Sequence, residues 1–383
     1  MKEELETSRD RQTNFLLQQQ NRLLEQQNKL LAELIQQRQN HSDYDAPPKL
    51  PDDEKILVED LFHDEIRDGF LVTSHLKRLW NVLLNMLGEI DRICKKHDIR
   101  YFAIGGTLLG AARHKGFIPW DDDLDVIMFR PDYEKFKRVV EEELKDNPRY
   151  KMWYWYNHHL ETDPENVDSS ILELPFISKE QRDLHPNWAP FFPLMRILDK
   201  RTTYFQDDRI NVHYAAWIDI FCLDPCLPIE DSKAELTFHA ARRILRALTF
   251  PEEVLENIRA GVKMAIPNDK LLEFLKLPFK MKALTLESFL AENFTETPYV
   301  CELAYFTTKT LKYSYKTKCF ERTTYLPFEK IKIPCPAEFD EVLTDRYGDW
   351  REIPNKKKKH AAVFTVDIPY EKFFKKVNVN EVI

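Results

Sequence analysis

Asp123 and Asp125 stand two positions apart in the run DDDLDVIMF, and they are the residues of this sequence best placed to do chemistry. On a β-strand, residues i and i+2 share a face, so both carboxylates point at one spot. Two carboxylates held together repel unless a cation sits between them. Hard oxygen ligands of this kind suit Mg²⁺, with Mn²⁺ as the alternative. Just upstream, Gly105, Gly106 and Gly110 fall within six positions of a chain that has only 8 glycines in 383 residues. A glycine pair lets the backbone bend tightly and approach a ligand without Cβ interference. A helix starting there presents free N–H groups, which suit a phosphate. A phosphate cradle beside a metal-binding acidic pair is equipment for phosphoryl transfer.

A third carboxylate is expected for such a site. Asp219 lies inside the apolar run WIDIF, where an unpaired charge is costly. It either joins the metal cluster or is bonded to local backbone or an arginine. Asp121 and Asp122 read as an acidic surface loop. Asp125 resists that reading because it lies within an apolar strand. Arg113, His114 and Lys115 follow the glycine bend and either balance charge at the site or form a solvated basic turn. Trp120 either shapes a pocket wall or packs.

These groups need elements to hold them. Residues 74–98 repeat Leu76, Leu79, Trp80, Leu83, Leu87, Ile90 and Cys94 at helical spacing, with Ser74 as the expected cap. The pattern then predicts a strand over 100–104, a short helix over 107–113, a strand over 124–129 and a helix over 132–145. Strands follow over 150–156 and 215–225. Residues 232–295 read as mostly helical, 312–334 as two strands around a loop, and 337–347 as a late helix. The fold class is α/β (mixed α+β), with helices flanking a small sheet.

Residues 1–40 differ in composition. Leu17, Leu24 and Leu31 at heptad d positions place Asn14, Asn21, Asn28 and Ile35 at a, the pattern of a coiled coil. A homo-oligomer through residues 14–38 is the expectation. Residues 41–54 carry three prolines and read as a linker, so the globular part spans 55–383 with its core motif at 101–129. The formal charge of −8 argues against a nucleic-acid binder. No apolar run is long enough to cross a bilayer, and the charged N-terminus lacks a secretory signal, so a cytoplasmic location is expected. The Asn293-Phe294-Thr295 tripeptide therefore carries little weight as a glycosylation site. The six scattered cysteines read as core thiols, although Cys222 and Cys226 have the spacing that begins a zinc site. The basic run 355–360, NKKKKH, is either a solvated segment or a peripheral contact with anionic lipid or glycan.

The string GGTLLGAARHKGFIPWDDDLDV resembles the LicD family, within the nucleotidyltransferase superfamily and related to fukutin-type transferases. LMRILDKRTTY (194–204), WIDIFCLDP (217–225) and PCPAEFDEVLTDRYGDWREIP (334–354) resemble further family segments. The resemblance covers about 85–360. It implies a nucleotidyltransferase-like core sheet and transfer of a phospho-alcohol from a CDP-alcohol donor to a hydroxyl of a glycan or glycolipid, with CMP leaving. Carried over by position, Gly105, Gly106, Thr107, Arg113 and Arg196 meet the donor. Asp123, Asp125 and Asp219 hold Mg²⁺, and one of them takes the acceptor's proton. Arg196 stands where the family often has lysine, which preserves phosphate contact but alters its geometry.

Phosphocholine from CDP-choline is the leading cargo, destined for a cell-surface glycan precursor of teichoic-acid or lipopolysaccharide type. A bacterial enzyme of that kind would work at the inner face of the membrane. Aromatic faces that could bind the choline cation occur at MWYWY (152–156) and NWAPFF (187–192), although a strand buried on both sides is the better reading for most of these residues. Ribitol phosphate or glycerol phosphate is the second reading of the cargo. A non-catalytic scaffold, with the coiled coil as its working part, is the third.

Overall fold

The computed structural model describes residues 58–155, 193–205, 213–226, 251–261, 266–292, 297–302, 314–354 and 363–366, with isolated positions at 56, between 240 and 248, and at 369. The coiled-coil segment, the linker, the 187–192 aromatics, Asn293 and the basic run at 355–360 lie outside the described residues.

A hairpin of β1 (Glu65–Arg67) and β2 (Phe70–Val72) leads into α1 (Ser74–Lys96). Thr73, not Ser74, caps this helix, its side-chain oxygen accepting from the Leu76 N–H. The apolar stripe of α1 is buried as the periodicity predicts, from Leu76 and Trp80 through Leu87 and Ile90 to Cys94. After β3 (Phe102–Ala103) comes α2 (Gly105–Leu109), which continues as one π-helical turn over Gly110–His114. β4 (Asp125–Phe129), α3 (Arg130–Leu144) and β5 (Tyr150–Tyr154) follow. Next are the long strands β6 (Met195–Phe205) and β7 (His213–Cys226). Helices α4 (Pro251–Arg259), α5 (Asn268–Leu275) and α6 (Phe279–Glu292) occupy the region read as helical. The chain then forms β8 (Tyr299–Glu302), β9 (Ser314–Lys316), β10 (Thr323–Phe328), β11 (Ile331–Pro336), α7 (Phe339–Tyr347) and β12 (Val363–Thr365).

The mixed α/β class is observed, but the sheet is not small. Among the described residues eight strands join it, in the order β12-β6-β7-β4-β3, with β5 on β6 and β9-β8 on β7. The 194–204 segment, read only as a basic stretch, is β6, a central strand. Its Ile197 and Leu198 are fully buried between neighbours. The β4–β7 pair runs parallel, and its register sets Asp125 directly beside Asp219. β6 extends that row antiparallel, with Arg196 opposite Asp219, and β5 adds Trp153 opposite Arg196. Four residues from four strands thus lie side by side: Trp153, Arg196, Asp219 and Asp125.

Trp153, Tyr154 and Trp155 are all nearly inaccessible, so this strand is buried on both sides. All six cysteines are buried free thiols. Among the described residues, no helix is long and apolar enough to cross a membrane.

Candidate active site

β3 ends at Ala103, and the chain bends at Gly105 with φ of +59°, a left-handed conformation that favours glycine. The glycines make room for carboxylates. A Cβ on Gly105 would lie 2.9 Å from an Asp125 side-chain oxygen, and one on Gly106 would lie 2.6 Å from an Asp121 side-chain oxygen. The bend therefore lets the acidic groups press against the first turn of α2. Thr107, expected to meet the donor, is buried here, and its hydroxyl oxygen accepts from the Asp125 N–H at 2.7 Å. It ties the start of β4 to α2.

Asp121, Asp122 and Asp123 each place a carboxylate oxygen within 4.8 Å of the others. The reading of Asp121 and Asp122 as a surface loop is corrected. Asp122 is only 5% exposed and accepts from the Tyr204 hydroxyl, while the Asp121 carbonyl accepts from the Trp80 indole at 2.8 Å. These anchors were hidden because Tyr204 and Trp80 are distant in sequence. Burial, and then the Asp121 and Asp125 charges, hold the Asp123 carboxyl well above the usual carboxylate range. Burial, and then Asp219, do the same for Asp125, opposed by Arg346. Carboxylates crowded this way fit a hard divalent cation, whose charge would offset their mutual repulsion.

Asp219 is held by two donors. The Arg196 Nε donates to one carboxylate oxygen at 2.6 Å and the Trp217 indole to the other at 3.2 Å. The arginine alternative for Asp219 is therefore realised, without removing it from the acidic row. The Arg196 guanidinium also lies over two indoles, 4.4 Å from the Trp217 ring centroid and 5.1 Å from that of Trp153. Arg196 thus sits at the site but is engaged with a carboxylate. Arg113 is engaged elsewhere: its guanidinium donates to the Trp350 and Glu352 carbonyls and to the His114 ring. In this structure it clasps the 350–352 segment.

The sequence reading overlooked Arg346 on α7. Its guanidinium donates to Glu302 at 2.7 Å and to the Tyr315 hydroxyl at 2.8 Å. One of its nitrogens would lie 3.6 Å from a Cβ on Gly105, so it reaches the floor of the acidic cluster. Tyr347 beside it is pushed up to about 12 by burial, with Asp125 and Asp121 adding to the effect. The available signal was the closing segment TDRYGDW, whose role is visible only once the distant helix α2, which begins at Gly105, is packed against it.

Residues 98–219 match the family model for the LicD/FKTN/FKRP nucleotidyltransferase domain. The chain is 53% identical over 58 residues to the lipopolysaccharide cholinephosphotransferase LicD of Haemophilus influenzae, covering 15% of this chain and 22% of that one. It is 27% identical over 131 residues to the ribitol 5-phosphate transferase FKRP of Mus musculus and of Homo sapiens, covering 34% of this chain and 23% of theirs. The chain thus spans about a fifth of the length of these curated relatives. The family resemblance is borne out over the matched segment, which holds the glycine bend, the aspartate run, Arg196 and Asp219.

Proposed function

With residues 98–219 placed among LicD/fukutin-type nucleotidyltransferase domains, we propose that this chain transfers a phospho-alcohol from a CDP-alcohol to a glycan hydroxyl. Phosphocholine from CDP-choline is the preferred cargo. The observation that carries this reading is the row of Arg196, Asp219 and Asp125 across three adjacent strands, beside Asp123 and the bend at Gly105. A scaffold would have no need to crowd carboxylates at a destabilising density.

Asp123, Asp125 and Asp219 would hold Mg²⁺ or Mn²⁺, with Asp121 in reach of the same cluster. Once bound, the ion would supply Lewis-acid neutralisation of the donor's phosphate oxygens. Gly105 and Gly106 leave room for the Asp125 and Asp121 carboxylates, so the donor pyrophosphate would meet the ion these residues hold. An incoming phosphate competes with Asp219 for the Arg196 guanidinium, which is suited to bidentate phosphate contact. The acceptor oxygen attacks the phosphorus bearing the alcohol, the bond to CMP breaks, and one of the three carboxylates takes the hydroxyl proton.

Choline is put ahead of ribitol or glycerol by the 53% identity over 58 residues to a lipopolysaccharide cholinephosphotransferase; the Trp153 and Trp217 faces are buried against Arg196 and carry no weight for it. The similarity to the ribitol 5-phosphate transferase FKRP keeps ribitol phosphate as the second reading. The test is CMP release by the purified chain with Mg²⁺ and, in turn, CDP-choline, CDP-ribitol and CDP-glycerol. Release from CDP-choline alone supports the preferred cargo. Release only from CDP-ribitol or CDP-glycerol moves the cargo, and release from none of them, with an acceptor glycan supplied, defeats the reading.

A further inference from the structure

The corner between α5 and α6 carries features that the acidic site does not use. Its inward side is ordinary core: Leu271 and Phe274 on α5, and Ala283, Leu286 and Leu290 on α6, are buried. Its outward side is not an ordinary polar surface. Leu272 and Leu277 are each 37% exposed and Met281 is 50% exposed. Exposed Lys270, Lys276 and Lys280, with half-buried Lys282, interleave with them. None of these four lysines is ion-paired to a carboxylate among the described residues, and only Asp269 and Glu273 oppose them within 268–284. The corner is therefore cationic and apolar in a chain of formal charge −8.

We propose that this corner docks on an anionic phospholipid surface. Leucine and methionine set among lysines is the composition of an interfacial segment, whose apolar groups enter the headgroup boundary while the ammonium groups meet lipid phosphates. Protein interface cores are depleted in lysine. A second copy would bring like charge against like. The rest of the chain is anionic in net, the basic run at 355–360 apart, so docking through this corner also favours one orientation. The proposal does not depend on the chemistry of the acidic site.

The test uses the full chain and sedimented vesicles of phosphatidylcholine, with or without one third phosphatidylglycerol. Binding is expected only to the anionic vesicles and should fall as salt rises. Lys276→Gln and Lys280→Gln should each lower the partition coefficient about fivefold, the equivalent of about 1 kcal/mol per lysine near the surface. Leu277→Ser with Met281→Ser should also weaken binding while leaving the circular dichroism spectrum unchanged, since both side chains are exposed. The proposal is overturned if neutral vesicles bind equally or if these variants bind as wild type does. It is also overturned if only neutralising Lys356, Lys357, Lys358 and Lys359 abolishes binding, or if Leu277 and Met281 instead drive self-association in sedimentation velocity without lipid.

Discussion

Strand β7 carries two aspartates five positions apart, and they stand in opposite electrostatic situations. Asp224 is almost inaccessible and takes two hydrogen bonds from Arg130, Nε at 2.8 Å and the terminal nitrogen at 2.7 Å. The same arginine donates to Glu287 and Glu134, and Glu287 also accepts from the Trp155 indole. Every member of that cluster has a partner, and the cluster joins α3, β7 and α6. Asp219 also has an arginine, but it lies beside Asp125, and its charge adds to the field on Asp123 and Asp125. The Asp224 cluster also has more carboxylates than cations, but each of its carboxylates reaches Arg130 directly, whereas Asp123 and Asp125 lie in the field of other carboxylates. Charge shared through one arginine holds a fold together, whereas like charge crowded on like is the pattern expected of the proposed site.

The largest expected contrast is in activity. Asp125→Asn should lower CMP release about a thousandfold, the equivalent of about 4 kcal/mol of transition-state stabilisation. Its thermal midpoint should equal or exceed that of wild type, because one of several repelling charges is gone. Arg130→Met should do the reverse. It leaves Asp224 and Glu287 buried without their main cation and should cost about 3–5 kcal/mol in denaturant unfolding. Arg196→Met sharpens the comparison, since it removes a similar arginine from the other aspartate. Turnover should fall about a hundredfold, with a stability loss smaller than that of Arg130→Met, because Asp219 keeps 15% of its side chain exposed and the Trp217 indole as a donor. If Arg196→Met instead unfolds the chain as Arg130→Met does, the two ends of β7 are alike and the comparison fails.

Much of the acidic site could be read in the sequence because it contradicts its surroundings. Aspartates at 125 and 219 sit where apolar strand residues belong, and three of so few glycines cluster just before them. The helix at 74–96 was legible from its long, regular stripe. The rest depends on contacts between distant residues. β6 carries charges at Arg196, Asp199 and Arg201, and its strand character emerges only when Arg149 pairs with Asp199 and Asp219 with Arg196. Arg346 meets Gly105 across more than two hundred residues. Thr73 displaced Ser74 as the cap because a shift of one position is within the resolution of any propensity argument.

The smallest prediction concerns ordinary surface pairing, far from both clusters. Lys96, then His97 and Arg92, hold the Glu143 carboxyl down from 4.5 to about 2 and fasten α3 to α1. A depressed carboxyl stabilises the fold above its unfolded pKa, and that contribution is lost as pH falls through the folded value. Glu143→Gln should therefore lower stability by about 0.5–1 kcal/mol at pH 7. The gap from wild type should close between pH 4.5 and about 2, as read from thermal unfolding across that range.

The most direct test of the central claim is anomalous diffraction from crystals of the chain grown with Mn²⁺ and CDP-choline. The expected result is a manganese peak bonded to oxygens of Asp123, Asp125 and Asp219, with the Arg196 guanidinium turned from Asp219 to a donor phosphate. A peak held only by Asp121, Asp122 and Asp123, with Asp219 still paired to Arg196 and the donor bound elsewhere, would contradict it.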